Sequence, residues 1–301
     1  MLTPATLNTA GQSGRNRNDA ADIRVVPTGR GTGAEIVGVD LAKPLDDAAF
    51  AVIEAAFDLH GVIYFRRQQI EPADQIRFSE RFGPIEVNFN SDKHGLEEHP
   101  EIFAIGNVQD DPRAPGLRGV GQTWHSDMCY AAHPPRATML YAIEVPELHG
   151  LATGDTSFAN AALAYEALPE PMRARIDGRL ATFDFTRRKR SRPVSAETVA
   201  RYPPVQHPVV RTHPQTGRKS LYVMGDDCVA IEGVDEPEAS QLIAALASHV
   251  LRPEFIYRHQ WRAGDLLMWD NCTVQHKALG DYAAPQRRLL HRATIAGAPP
   301  A

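Results

Sequence analysis

The chain has 301 residues, a formal net charge of -5 and an apolar fraction of 43%. This length allows one large domain or two ordinary ones, and the apolar fraction is enough for a substantial core. The weak negative charge excludes a global basic field, so nucleic acid and anionic membranes are not expected partners. No apolar run is long enough to span a membrane and the N-terminus lacks a signal-peptide core, which predicts a cytoplasmic protein.

Composition divides the chain into a short tail and one domain. Residues 1–22 are rich in Thr, Asn, Gly, Ser and Ala, which predicts a disordered tail. A single domain is expected over residues 23–301, because neither a second domain nor an internal repeat is visible. Two polar stretches, near residues 86–122 and 183–205, are predicted to be lid loops beside a site.

The first predicted elements of the domain are short β-rich runs that start at Ile23 and are separated by glycine-rich turns. A helix is predicted from Asp46 to about His60, where apolar residues recur at helical spacing, and a second from Pro72 to Phe82. A buried strand, Val62-Ile63-Tyr64-Phe65, is predicted between the two helices.

The middle of the chain is predicted to hold a strand from Ala137 to Ile143 and two consecutive helices. The first helix follows Gly154-Asp155-Thr156-Ser157-Phe158 and ends near Leu168, and the second spans Pro169 to Leu180. In the last third, short strands alternate with turns around one helix from Glu236 to Leu251. Many short strands with few long helices favour a mainly β jelly-roll sandwich with flanking helices over a parallel α/β sheet.

The three cysteines, Cys129, Cys228 and Cys272, are too few and too scattered for a disulfide framework or a thiolate metal site. A thiolate ligand would also favour zinc or copper, whereas the histidines and carboxylates of this chain suit another chemistry. We therefore expect the three thiols to be buried or half-buried packing residues.

A histidine and a carboxylate lie two residues apart in the stretch from Gln122 to Tyr130, at His125 and Asp127. Residues i and i+2 of a strand share a face, so both side chains can point at one ion. A candidate third ligand, His276, follows a predicted apolar strand far down the chain. Two histidines and one carboxylate without a fourth protein ligand form the facial triad of non-haem Fe(II) oxygenases, which leaves positions for cosubstrate and O2.

Two other classes of protein remain open on these residues. A jelly-roll protein could keep the metal ligands without catalysing a reaction, and its signature would be a missing cosubstrate-binding pair. A zinc or manganese hydrolase or isomerase would need a fourth ligand or a general base close to the metal. His133 and His291 are the nearby candidates for that role, and neither belongs to a supporting motif.

The chain resembles the taurine dioxygenase/2,4-dichlorophenoxyacetate dioxygenase family in five ordered motifs. These motifs are Trp124-His125-Ser126-Asp127, Gly154-Asp155-Thr156, the stretch from His207 to Pro214, Trp269-Asp270-Asn271 with Gln275-His276, and the stretch from Gln286 to Thr294. The resemblance covers nearly everything from Val25 to Gly297. It implies a double-stranded β-helix, or jelly roll, and a dioxygenase that uses Fe(II), 2-oxoglutarate and O2 and releases succinate and CO2.

Position by position, the resemblance implies that His125, Asp127 and His276 bind the iron. It also implies that Thr156 and Arg288 hold the distal carboxylate of 2-oxoglutarate. A planar, always-charged guanidinium matches a carboxylate, and a hydroxyl can supply a further donor.

The resemblance further implies a small anionic organic substrate. Arg292 lies four residues beyond Arg288, on the same face of the predicted strand, and in the family this arginine binds the acidic group of the substrate. A sulfonate, an aryloxyalkanoate or an amino-acid-derived acid would fit, and a hydroxylated product whose carbon bears a heteroatom would fragment. A buried ion pair with an acid is the alternative role for Arg292.

The sequence departs from the taurine enzymes at three pocket positions, where it has Asn88, Gly121 and Asp227. These departures put taurine itself in doubt as the substrate. Arg188 and Lys189 match a lid segment that touches substrate in the family, which suggests a second contact to an acidic or polar group. Relatives are usually dimers or tetramers, so a homo-oligomer is expected.

Overall fold

The computed structural model describes residues 18–29, 31–89, 91–109, 116–117, 119–187 and 195–301. The strands are β1 (Arg24–Pro27), β2 (Ala34–Val37), β3 (Val62–Phe65), β4 (Gly95–Leu96), β5 (His99–Gly106), β6 (Ala137–Glu144), β7 (Glu147–Leu148), β8 (Leu151–Ala152), β9 (Thr156–Asn160), β10 (Leu180–Phe183), β11 (Val205–Pro208), β12 (Val210–Thr212), β13 (Lys219–Leu221), β14 (Cys228–Ile231), β15 (Ile256–His259), β16 (Leu266–Asp270), β17 (Val274–Ala278) and β18 (Leu289–Ile295). The α-helices are α1 (Asp47–His60), α2 (Pro72–Glu80), α3 (Ser91–His94), α4 (Ala161–Glu166), α5 (Glu170–Ile176), α6 (Ala196–Arg201) and α7 (Glu238–Val250).

The fold is mainly β, as predicted, and two facing sheets form its centre. The larger sheet has the strand order β1-β2-β3-β16-β6-β18-β5-β4, in which β2 and β3 pair in parallel and the other neighbours are antiparallel. The smaller antiparallel sheet has the order β15-β9-β17. A buried cluster with members from both sheets, such as Leu140 and Leu290 from the larger and Phe158 and Val274 from the smaller, fills the space between them.

Strand β16 is apolar at successive positions because both faces of the larger sheet are covered. Leu266 and Met268 pack in the cluster beneath helices α1 and α2, whereas Leu267 and Trp269 pack in the cluster between the two sheets. Successive side chains of a strand leave opposite faces, and here both faces are covered. The sequence of β16 therefore does not alternate between apolar and polar residues.

Helix α1 begins and ends where the sequence predicts. The Asp46 side chain accepts a hydrogen bond from the backbone N–H of Ala49 at 2.8 Å, which caps the first turn. Gly61, in the left-handed region at φ 66°, ends the helix. The buried residues Phe50 and Phe57 lie on its apolar stripe and pack on the outer face of the larger sheet. No helix in the described ranges is long and apolar enough to cross a membrane.

Strand β9 is an element that the sequence did not predict. The stretch after Gly154 was expected to lead directly into a helix, but Thr156–Asn160 forms the central strand of the smaller sheet. Helix α4 begins only at Ala161, with the Asn160 side chain accepting hydrogen bonds from the first turn. Every residue of β9 is buried, because β15 and β17 pair with its two edges and a hydrophobic cluster covers each face, with Phe158 in one cluster and Ala159 in the other.

Residue 18, the first residue that the structure describes, is already packed, although it precedes the predicted domain boundary at residue 23. The buried Asn18 side chain donates to the carbonyl oxygen of Asp40 and accepts from the Asp40 N–H. Residues Ala20–Asp22 form a short 3-10 helix, and residues 1–17 lie outside the described ranges.

The two predicted lid stretches contain regular elements. Strand β5 lies inside the first stretch and pairs with β18 in the larger sheet. The described part of the second stretch holds a 3-10 helix, Phe185–Arg187, together with α6. Arg188 and Lys189, predicted to contact substrate, lie outside the described residues.

Candidate metal centre

His125, Asp127 and His276 come together where β17 meets the segment that follows residue 121. Asp127 Oδ1 lies 3.8 Å from His125 Nε2 and 3.8 Å from His276 Nε2. All three residues are buried, and their ligand atoms lie within 4.8 Å of one another. The structure therefore brings together the three side chains that the sequence singled out.

The local cause of this convergence differs from the predicted one. His125 forms a single antiparallel bridge with His276, in which each backbone N–H donates to the other residue's carbonyl oxygen, at 3.1 and 2.8 Å. Asp127 does not continue a strand; it begins a turn in which Met128 has a φ of 45°. Backbone pairing between the two histidines sets their separation, so the expected i, i+2 strand geometry is wrong here.

A ring of hydrogen bonds orients Asp127. The Thr138 hydroxyl donates to Asp127 Oδ2 at 2.6 Å, and the backbone N–H of Asp127 donates to Asn271 Oδ1 at 3.2 Å. Asn271 Nδ2 in turn donates to Thr138 Oγ1 at 3.2 Å, which closes the ring. These contacts engage Oδ2 and leave Oδ1 facing the histidines, as outer-shell partners of a metal ligand do.

Sequence reasoning missed Thr138 and Asn271 as partners of the metal group. The available signal for Asn271 was its place in the Trp-Asp-Asn motif. The signal for Thr138 was a hydroxyl in an otherwise apolar, fully buried segment of β6. The two residues are 133 positions apart in the chain, so local patterns could not pair them.

Arg292 contacts the same carboxylate, with its guanidinium 3.1 Å from Asp127 Oδ2. Burial opposes the ionised form of Asp127, but the charge of Arg292 and the nearby imidazoles of His276 and His125 outweigh it and hold the pKa of Asp127 well below its ordinary value. Asp127 is therefore a carboxylate, which is the form that binds a cation. The alternative role that the sequence left open for Arg292, a pair with a buried acid, is present in the structure.

The donor set fits a divalent transition metal. His125 Nδ1 lies 2.8 Å from the carbonyl oxygen of Thr123, where its N–H donates, so Nε2 is the nitrogen that carries the lone pair. In the part of the chain that the structure describes, no fourth His, Cys, Asp or Glu belongs to this group. His291 lies one position from Arg292 in β18, on the opposite face of the sheet. Two imidazoles and one carboxylate suit Fe(II) with open positions better than a closed zinc site.

The metal group opens into one cavity that also contains two arginines, Arg288 and Arg292. The remaining lining residues described for this cavity are Ile105, Val120, Gly121, Leu140, Thr156, Trp269 and Ala278. Arg292 belongs to β18 and Arg288 immediately precedes this strand, and both side chains line the same cavity, as expected for residues four positions apart on one strand face. The aromatic wall includes Trp269, whose ring centroid lies 4.5 Å from that of His276.

Arg288 is a buried cation in the lining of this cavity. Its guanidinium carbon lies 5.6 Å from the centre of the Tyr282 ring. Burial lowers the pKa of Arg288, and the neighbouring Tyr282 and Asp281 oppose that shift. No carboxylate of the described residues forms an ion pair with this guanidinium, and a buried cation without a carboxylate partner favours an anionic ligand. A Cβ at Gly154, which has a φ of 75°, would lie only 3.1 Å from Arg288 Nε.

The other predicted substrate contacts divide into those near the cavity and those away from it. Gly121 lines the cavity, and a Cβ there would lie 3.4 Å from His125 Cε1. Asn88 is half-buried and, among the described residues, does not belong to the cavity lining. Asp227 is fully buried in the turn before β14, where its carbonyl oxygen accepts from the N–H of Asp184.

A second buried group, His213, Asp270 and Cys272, also brings potential ligand atoms together. His213 Nδ1 accepts hydrogen bonds from the N–H groups of Gln215 and Thr216, so its Nε2–H donates to Asp270 Oδ2 at 2.9 Å. Burial raises the pKa of the Cys272 thiol far above its ordinary value. This group is a hydrogen-bonded core cluster, in agreement with the predicted packing role of the cysteine.

The chain matches the model of the taurine catabolism dioxygenase TauD, TfdA family over residues 24–294. It is 34% identical over 282 residues to the alpha-ketoglutarate-dependent 2,4-dichlorophenoxyacetate dioxygenase of Cupriavidus pinatubonensis, a match that covers 87% of this chain and 93% of the relative. It is 33% identical over 297 residues to the alpha-ketoglutarate-dependent sulfate ester dioxygenase of Pseudomonas putida, covering 93% and 92%. The crystal structure of a taurine dioxygenase from Burkholderia xenovorans aligns with a TM-score of 0.77 at 33% identity, covering 93% of this chain and 92% of that chain.

These similarities confirm the predicted family resemblance and the jelly-roll fold. Alpha-ketoglutarate is 2-oxoglutarate, so the cosubstrate in the names of both relatives is the one that the resemblance implies. The buried group of two histidines and one carboxylate agrees with the use of iron. The chain belongs to the taurine catabolism dioxygenase TauD, TfdA family of Fe(II)- and 2-oxoglutarate-dependent dioxygenases.

Proposed function

We propose that this dioxygenase hydroxylates a small anionic organic substrate, such as a sulfonate, an alkyl sulfate or an aryloxyalkanoate. The observation that carries the proposal is that one cavity is lined by the three metal-ligand candidates and by two arginines, Arg288 and Arg292. Two cationic side chains suit two anionic partners, the cosubstrate and the substrate. The names of the two relatives, a sulfate ester dioxygenase and a 2,4-dichlorophenoxyacetate dioxygenase, support a substrate of this class.

Different residues of the cavity bind the metal and the cosubstrate. His125 Nε2, Asp127 Oδ1 and His276 would hold Fe(II) from one side and leave its remaining positions to other ligands. Thr156 and Arg288 bind the distal carboxylate of 2-oxoglutarate, because the guanidinium is buried and without a carboxylate partner among the described residues. This arrangement orients the cosubstrate before the substrate enters.

When bound, the iron supplies the reaction of 2-oxoglutarate with O2, which yields succinate and CO2 and leaves the second oxygen atom as a hydroxyl group on a substrate carbon. The protein contributes placement and the exclusion of water instead of acid–base catalysis. Trp269 packs against His276 and limits water access on that side. A hydroxylated carbon that also bears a heteroatom would release that group and leave an aldehyde or a keto acid.

The reaction class is tested by the stoichiometry of the cosubstrate. A panel of sulfonates, alkyl sulfates and aryloxyalkanoates is screened by oxygen uptake, with Fe(II) and separately with Zn(II). We expect one succinate for each 2-oxoglutarate consumed when Fe(II) and an anionic substrate are both present, and no turnover with Zn(II). Turnover with Zn(II), or a reaction that proceeds without 2-oxoglutarate, would contradict the proposal.

Arg292→Ala tests which partner this arginine serves. If Arg292 binds the acidic group of the substrate, the KM for the best substrate of the panel should rise by about 30-fold or more, since removing one member of a buried charge pair costs at least about 2 kcal/mol. The KM for 2-oxoglutarate should change much less, because Arg288 remains. Initial rates at varied concentrations of both compounds measure the two values.

The contact between Arg292 and Asp127 supplies the competing outcome. If Arg292 serves only to hold that carboxylate, the variant will need more Fe(II) for half-maximal activity while its substrate KM stays unchanged. Arg218→Ala is the matched control, because Arg218 pairs with Glu166 at the surface, away from the cavity. That control should leave all three constants within about twofold of the parent.

The cytoplasmic location and the homo-oligomer stay predictions. The buried position of Cys129, Cys228 and Cys272, all of them free thiols, agrees with a reducing compartment. Light scattering on the purified protein would distinguish a monomer from the expected dimer or tetramer.

A further inference from the structure

We propose that Trp261 is a positioning residue for the cosubstrate: its indole N–H fixes the Thr156 hydroxyl so that the hydroxyl hydrogen is available to the carboxylate of 2-oxoglutarate. This inference rests on the proposed function, in which Thr156 and Arg288 bind that carboxylate. None of the sequence motifs contains Trp261, so nothing in the sequence pointed to it.

The hydrogen bond between the two residues has a fixed direction. Trp261 Nε1 lies 3.0 Å from Thr156 Oγ1, and both side chains are buried. An indole N–H can only donate, so the threonine oxygen must accept. The hydroxyl hydrogen of Thr156 is therefore not used by Trp261, and the described residues offer it no acceptor. Because Thr156 lines the cavity with Arg288, an anion bound there is the natural acceptor.

Trp261 is itself held by a buried polar network. Its ring meets the imidazole of His259 edge-on, with centroids 4.8 Å apart and an interplanar angle of 81°. His259 Nε2 lies 3.2 Å from Asp265 Oδ2, and His259 Nδ1 lies 2.9 Å from the Tyr257 hydroxyl. His259 and Asp265 are both fully buried. Because Trp261 is already held in position, its indole N–H loses little conformational entropy when 2-oxoglutarate binds. The donor is therefore preorganised for the bound state.

The backbone reinforces the alignment of the same residues. His259 and Thr156 are directly paired in the register of β15 and β9, and Ala278 of β17 pairs with Thr156 on the other side. Thr156 therefore has both its backbone and its hydroxyl oxygen fixed before any ligand arrives. The remaining freedom is the rotation of one O–H bond, and the Trp261 contact narrows that rotation to directions away from the indole.

A double-mutant cycle distinguishes positioning from plain packing. Trp261→Phe removes the indole N–H, Thr156→Val removes the hydroxyl, and the third variant carries both changes. The dissociation constant of 2-oxoglutarate is measured by calorimetry with Mn(II) in place of Fe(II), without O2, so no turnover is involved. We expect each single change to weaken binding by about fivefold, the size of one net hydrogen bond, and the Trp261 change to have no further effect in the Thr156→Val background.

Equal weakening by Trp261→Phe in both backgrounds, or no weakening in the parent, would overturn the inference. Tyr165→Phe is the matched control, because it removes an aromatic donor that bonds Asp177 away from the cavity. If the parent protein does not bind 2-oxoglutarate at all, the proposed function fails. If the parent binds but Thr156→Val has no effect, the cosubstrate role of Thr156 fails and the inference with it.

A second measurement needs no change at Trp261, in case Trp261→Phe does not fold. The chain has three tryptophans, so the protein loaded with Zn(II) should give three indole N–H signals in a nitrogen-15 correlation spectrum. We expect Thr156→Val to shift the Trp261 signal. We also expect 2-oxoglutarate to shift this signal in the parent but not in Thr156→Val, because a Thr156 hydroxyl that donates to the bound carboxylate is polarised and becomes a stronger acceptor for the indole N–H. A Trp261 signal that is unmoved by the ligand in the parent would also overturn the inference.

Discussion

Replacing Asp127 with asparagine should weaken Fe(II) binding by at least about 100-fold and lower turnover in proportion. Loss of an outer-shell partner alone costs a metal site about 10- to 100-fold in affinity, and Asp127 supplies the single carboxylate of the group. Asparagine keeps the shape of the side chain and can still accept from Thr138, so the fold should be retained. The change removes the negative charge of Asp127, which Arg292 and the imidazoles of His276 and His125 stabilise.

Metal affinity is measured by titration of Fe(II) under anaerobic conditions, together with the melting temperature of the apo protein. Asp177→Asn is the control, because Asp177 bonds Tyr165 and Lys219 outside the cavity and should leave metal affinity unchanged within about twofold. An Asp127→Asn variant that binds Fe(II) as tightly as the parent would remove Asp127 from the ligand set. A variant that melts far below the parent would point to a structural role instead.

The parts of the fold that could be predicted have local causes. Helix α1 is bounded by Asp46 and Gly61, a capping side chain and a left-handed residue, and both effects act within one turn. The β16 run is apolar on both faces because a covered strand needs no polar side. His276 could be found because its motif follows that strand, and the family resemblance supplied the role.

The parts that could not be predicted depend on contacts between distant segments. Strand β9 has the sequence Thr-Ser-Phe-Ala-Asn, which neither alternates nor contains a β-branched run, and it is a strand because β15 and β17 hydrogen-bond to both of its edges. The side chains of Thr138 and Trp261 meet their partners across 11 and 105 positions of the chain. Arg292 combines both kinds of feature. Strand periodicity predicts that its side chain lies on the same strand face as Arg288, but the sequence does not predict its contact with Asp127.

Replacing Arg288 with alanine should raise the dissociation constant of 2-oxoglutarate by roughly 30- to 5,000-fold, the equivalent of about 2 to 5 kcal/mol for one member of a buried charge pair. Arg288 is 5% exposed, so water can replace little of the lost interaction. Arg288→Lys should recover only part of the affinity, because an ammonium cannot make the paired, planar contact of a guanidinium. Calorimetry with Mn(II) and without O2 measures binding in the absence of turnover.

The neighbouring arginine separates this role from a general effect of positive charge. Arg287 precedes Arg288 in the chain, but it pairs with Glu144 at the surface through its Nε at 2.7 Å. Arg287→Ala removes the same charge one residue away, so a long-range electrostatic effect would weaken 2-oxoglutarate binding in both variants, whereas direct contact would weaken it only in Arg288→Ala. Equal losses in the two variants would refute Arg288 as the cosubstrate contact. In that case added salt should abolish the loss of 2-oxoglutarate affinity in both variants, because salt screens exposed charges. A loss that arises from a buried pair should persist at high salt, because a buried pair is screened much less.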